Sequence, residues 1–149
     1  MSCVTCETRF AESEKQGQYY ETLFEVLPSP TFVFDAGMRL VDFNRAGFDM
    51  MYDSSPEVIG LLAGEVMGCV HACKERNTCG TTPACGECGL RNSARETLET
   101  GKTIRAMATL EMMEDGRTVA RELLIGTAAL DEAGRRLAVM TALVMQPVE

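Results

Sequence analysis

The last third of the chain leaves the least freedom. Ile104, Ala106, Ala108, Leu110 and Met112 alternate along one segment, the period of a strand with one covered face. Glu114-Asp115-Gly116 then turns the chain, and a second long run contains Arg121 to Gly126. Asp131-Glu132-Ala133-Gly134 turns it again before a third run over Leu137–Met145. Strands joined by such short turns run antiparallel.

The rest of the chain is mixed in pattern. Residues 1–15, polar apart from Cys3 and Cys6, read as a flexible N-terminal arm, and 16–149 as one domain. Tyr20, Leu23, Phe24 and Leu27 fall on one face of a helix over 16–27, which Pro28 and Pro30 stop. Residues 31–35 and 39–43 read as two short strands around an Ala36-Gly37 turn. Asn44–Met51 is helix-like, and Ser54, Ser55 and Pro56 can open another short helix ending at Gly60. A longer helix fits Glu87–Thr100, with Leu90, Ala94, Thr97 and Leu98 on one side and Gly101 as its stop. Helices inserted between the second and third of five strands give an α+β domain. Asn44 and Asp35, each at a strand end, suit the capping of turns.

The chain's 149 residues are 46% hydrophobic, enough for a core without disulfides or metals to hold it. A net charge of −8 argues against nucleic acid or an anionic membrane as partner. The N-terminus lacks a secretory pattern, and no window is long and apolar enough to span a bilayer. The cytoplasm is the expected location, where thiols stay reduced. Seven cysteines in that setting suggest metal or redox chemistry. Five of them, with the only histidine, lie within residues 68–91, GCVHACKERNTCGTTPACGECGLR.

The element order, with LPSPTFVFD (27–35), VDFNRAGF (41–48) and SPEVIG (55–60), resembles the PAS sensory domain over roughly residues 18–146. That resemblance implies a five-stranded antiparallel sheet, with helices on one face and a pocket between the longer helix and the sheet. It also implies a flanking N-terminal helix that relays a signal to a dimer partner or a separate effector. A homodimer through helix 16–27 is therefore expected. An amphipathic helix packed on its own domain accounts for the same stripe.

Familiar cofactors of that family find few matching residues. HACKERN (71–77) does not match the photoactive-flavin motif, no Trp is present, and Glu87–Thr100 contains no His. The cysteines remain. Cys85-Gly-Glu-Cys88 is a C-x2-C knuckle at the expected start of the longer helix, where a helix N-terminus favours thiolates and anionic centres. Gly80, Gly86 and Gly89 permit tight turns there. The expected ligands are Cys69, Cys79, Cys85 and Cys88, with Cys73 and His71 as substitutes. The segment resembles that of a cysteine-rich PAS subgroup in bacterial sensor proteins, in which the cysteine corresponding to Cys73 is dispensable.

Three occupants stay open at this point: an iron–sulfur cluster, zinc, or no metal with free or reversibly oxidised thiols. The first suits all-sulfur ligation and a redox or oxygen signal. The methionines read as adaptable core filler. No nucleotide-binding, hydrolase or metalloprotease motif is present, so a sensor rather than an enzyme is expected. An output module is expected on another protein.

Overall fold

In a computed structural model, residue 15, residues 17–52 and residues 57–145 are described. The expected N-terminal arm with Cys3 and Cys6, apart from Lys15, lies outside them. So does the helix start expected at Ser54–Pro56. Residues 57–60, where that helix was expected to end, form turns.

The elements are α1 (17–26), β1 (Thr31–Phe34), β2 (Leu40–Phe43), α2 (Arg45–Met50), α3 (Ala63–Met67), α4 (Val70–Cys73), a 3-10 turn at Pro83–Glu87, α5 (Gly89–Thr100), β3 (Ile104–Glu114), β4 (Arg117–Glu132) and β5 (Arg135–Met145). The strands form one antiparallel sheet in the order β2-β1-β5-β4-β3. The first hairpin thus pairs with the last strand, and the helical segment spans from one sheet edge to the other. The expected long helix begins two residues later than its apolar periodicity suggested, because Pro83 opens a separate 3-10 turn and Cys88 caps α5.

Burial follows the strand alternation. Leu110 and Met112 of β3, Leu123 and Ile125 of β4, and Ala138, Met140 and Ala142 of β5 face a core that also takes in Phe32, Phe34, Leu90 and Ala94. Buried hydroxyls pin α5 to the sheet. Thr97 and Thr127 share a 2.7 Å hydrogen bond, and the Thr127 hydroxyl also reaches the Ser93 carbonyl at 3.2 Å. Both threonines are thereby satisfied despite burial.

Asn44 is fully buried and caps α2. Its Oδ1 accepts from the backbone N–H groups of Gly47 and Thr31, while Nδ2 donates to the carbonyl of Ser29 at 3.1 Å. One amide therefore joins α2 to the entry of β1. Asp35 does the analogous work in the hairpin, accepting from the N–H groups of Gly37 and Arg39.

Helix α1 makes little use of its own domain. Tyr19, Tyr20 and Val26 are 63%, 64% and 69% exposed, and Leu23 and Leu27 are also exposed; only Phe24 is half-buried. The stripe read from the sequence exists, but it is not laid on the core. Among the described residues, no helix is long and apolar enough to cross a membrane.

Candidate functional site

The helical segment is fastened to the sheet at both ends, and the cysteines lie between. The residues leading into α3 hang on the first hairpin, with Leu40 N–H bonded to the Leu61 carbonyl and Ala63 N–H to the Met38 carbonyl. After α3 the chain touches the opposite edge. Met113 N–H donates to the Gly68 carbonyl at 2.7 Å, and Cys69 forms an isolated antiparallel bridge with Met112 of β3. Cys69 is therefore held against the sheet, while Cys73, one turn on, points its Sγ to the Gly64 carbonyl at 3.8 Å.

The start of α5 is the second fastening. A Cβ on Gly89 would lie 2.6 Å from Cβ of Ala108, so the helix approaches β3 to a distance that only glycine allows. Cys88, immediately before it, packs partly on the core as N-cap of α5.

Between these fastenings lies a cavity of about 370 Å³. Cys69, Cys79, Cys85 and Cys88 all line it, as do His71 and Arg91, with Ala63, Leu90 and Leu110 at its apolar wall. The structure thus gathers the four expected ligand cysteines around one space and leaves Cys73 out of its lining. All five cysteines in the segment are neither buried nor fully exposed. Among the described residues, no three His, Cys, Asp or Glu side chains are already close enough to hold one ion. The sulfurs surround the space; they do not meet at a point.

The thiols differ in their surroundings. Burial pushes the Cys69 thiol above its ordinary value, and the nearby Cys88 and Cys79 add to that against the N–H groups of His71 and Ala72. Burial also opposes ionisation at Cys85, but its hydrogen-bond donors win. Thr82 Oγ1 lies 3.1 Å from Cys85 Sγ, Gly80 N–H donates to it at 3.2 Å, and the Arg91 charge adds to these, so the thiol falls below its ordinary value. Arg91 Nη1 also reaches Cys79 Sγ at 3.8 Å. His71 Nδ1 lies 3.3 Å from Glu75 Oε2, a partner one turn along.

The sequence reading missed Arg91. The signal was present in its place, three residues beyond the knuckle and so one helical turn from Cys88, but only the folded loop turns its guanidinium onto Cys79. A second cavity of about 410 Å³ is lined by Met50, Met51, Met67, Met112 and Met113. Met51, Met67 and Met112 are buried in the core, as expected of filler.

The comparisons agree with this architecture. A family model described as PAS domain matches residues 18–84. Among solved structures, the PAS domain of nitrogen regulation protein NR(II) from Vibrio parahaemolyticus is similar at TM-score 0.58 and 13% identity, over 83% of this chain and 95% of that one. The PAS domain of an HTR-like protein from Haloarcula marismortui has TM-score 0.53 and 18% identity, over 93% of this chain and 99% of that one. The Vibrio cholerae VqmA dimer has TM-score 0.59 and 15% identity over 87% of this chain; the match takes in 51% of VqmA, about half its length. At such identities the likeness is one of fold. No curated protein sequence matches.

The sheet order and the helical cover give the chain the fold of the PAS domains it is similar to, and residues 18–84 match the family model. In this fold, four cysteines and an arginine line one cavity.

Proposed function

We propose that this PAS domain is a non-catalytic cytoplasmic sensor of redox state or oxygen, reading its signal through an iron–sulfur cluster on Cys69, Cys79, Cys85 and Cys88. The observation that carries the reading is the convergence of those four residues, from three separate stretches of backbone, on one cavity beside the sheet. Their donor chemistry fits, since thiolates are the usual protein ligands of such clusters.

All-sulfur ligation and a redox or oxygen signal favour a cluster over one ion. A single tetrahedral zinc, with bonds of about 2.3 Å, needs its four sulfurs within about 3.8 Å of one another. No group of three potential ligands among the described residues is drawn in for one ion. A polynuclear centre keeps its cysteines farther apart and occupies volume, which the cavity offers. When bound, such a centre supplies one-electron redox chemistry. The chain's own residues would hold it, with Arg91 balancing its negative charge, and Cys69 would link it to β3 through the Met112 bridge.

The second half of the proposal is the relay. Exposed apolar residues on α1 suit a second copy of the chain, forming a homodimer that passes the signal to a separate effector. VqmA, similar in fold, is described as a dimer.

Anaerobic purification with iron, sulfide and zinc analysis tests the centre. Stoichiometric iron and sulfide are expected, lost in Cys88→Ala and largely kept in Cys73→Ala. Colourless protein with one zinc per chain, or with neither metal, would overturn the cluster. Loss in Cys73→Ala with retention in Cys88→Ala would overturn the ligand set.

A further inference from the structure

Arg91 lies in the first turn of α5 and is half-buried in the cavity wall. Its guanidinium lies flat against the backbone of the cysteine loop. A Cβ built on Gly80 would fall 2.5 Å from Cζ of Arg91, so no other residue fits there while the arginine holds its place. Gly80 also has φ +94°, a conformation that L side chains rarely adopt. Its N–H meets Cys85 Sγ, and Arg91 Nη1 meets Cys79 Sγ. Two cysteines that line the cavity thus lie on either side of the glycine that the cation covers.

The remaining charges around the space are few. Glu87 and Glu111 also line the cavity, but both are exposed, at its rim. His71 is turned toward Glu75. Among the described lining residues, Arg91 is the only lysine or arginine. A half-buried charge is screened less than a surface one, so its field is felt strongly at the neighbouring sulfurs.

We infer that Arg91 sets the charge preference of this cavity, so that its Cys79–Cys85 side favours anionic occupants and anionic reagents over neutral ones. The inference shares the cavity with the cluster proposal but not the occupant. It holds for a thiolate-bound cluster, for an anionic thiol reagent, and for the metal-free chain.

The test compares two alkylating agents of similar reactivity and different charge. The full chain, stripped of metal by a chelator and reduced, is treated with iodoacetate or with iodoacetamide at one fixed pH. Peptide mass spectrometry then reads the rate at each cysteine. The ratio of the two rates at a given sulfur cancels that thiol's own ionisation and reports the local charge. Arg91→Gln is expected to lower the iodoacetate-to-iodoacetamide ratio at Cys79 and Cys85 by about fivefold or more, with little change at Cys73, which lies outside the lining. Arg91→Lys is expected to restore most of the ratio, which a purely structural role for the guanidinium would not predict. An unchanged ratio at Cys79 and Cys85 in folded Arg91→Gln overturns the inference.

Should that variant fail to fold, the wild-type chain decides. Its iodoacetate-to-iodoacetamide ratio at Cys79 and Cys85 is expected to exceed that at Cys73, outside the lining, by about fivefold or more. A ratio at Cys79 and Cys85 no higher than at Cys73 overturns the inference equally. Iron and sulfide in the unstripped protein report on the cluster separately, so either idea can fail without the other.

Discussion

Single residues in this protein act by joining elements that the sequence keeps apart. The Asn44 amide ties α2 to the start of β1, and Arg91 ties α5 to the cysteine loop. A third joint, the Glu114–Arg121 pair, closes the β3–β4 hairpin with two hydrogen bonds. The hydrogen bond from Arg121, with its charge, outweighs burial and holds the Glu114 carboxyl below its ordinary 4.5. A depressed carboxylate contributes stability above its unfolded value and loses it as pH falls through the folded one. The deficit of Glu114→Gln is therefore expected at pH 7 and should shrink as pH falls below 4.5 in urea denaturation. Both side chains are 39% exposed, so the effect is small and falls with salt. A deficit that stays constant as pH falls from 7 to far below 4.5 would mean the pair contributes through packing, not charge.

Among the elements, α5 carries the most. It covers the core with Leu90, Ala94 and Thr97 and places Cys88 at its own N-terminus. Its approach to β3 depends on two small residues, Gly89 and Ala108. Gly89→Ala is expected to cost about 1–3 kcal/mol, because the added methyl overpacks a contact backed by the sheet. Adding Ala108→Gly should recover part of that loss by removing the methyl it meets, beyond what the glycine itself costs in β3. Equal destabilisation in the single and double variants, measured by denaturant midpoints, would show that the contact does not limit the packing of α5.

On the scale of the molecule, the sheet lies between two working ends. The cysteine cavity touches the β3 edge through Gly68, Cys69 and Gly89. Helix α1 enters at the centre of the sheet, where the Pro30 carbonyl accepts from Ala142 N–H of β5. A change at the cavity can reach α1 across β4 and β5, or through the first hairpin, to which the entry of α3 is bonded. If α1 forms the dimer, Leu23→Ser with Val26→Lys should yield monomer in sedimentation while the thermal transition of the domain stays near wild type, since both side chains are exposed. A dimer that survives those changes would place the interface elsewhere.

Local chemistry alone determined much of this protein. Alternation over 104–145 defined three antiparallel strands, Asp115-Gly116 and Ala133-Gly134 turned them, and Pro28 and Pro30 ended α1, because each effect acts over a few bonds. The grouping of Cys69, Cys79, Cys85 and Cys88 as candidates came from composition, spacing and the resemblance. Its arrangement did not, since the enclosure of Cys69 with Cys79, Cys85 and Cys88 depends on where α3 and α5 are fastened to β3. The contact of Arg91 with Cys79 and the exposure of the α1 stripe were likewise decided only by tertiary structure. Distance in space fixes the charge a sulfur feels and the water a leucine meets, and contacts between residues far apart in sequence create those distances.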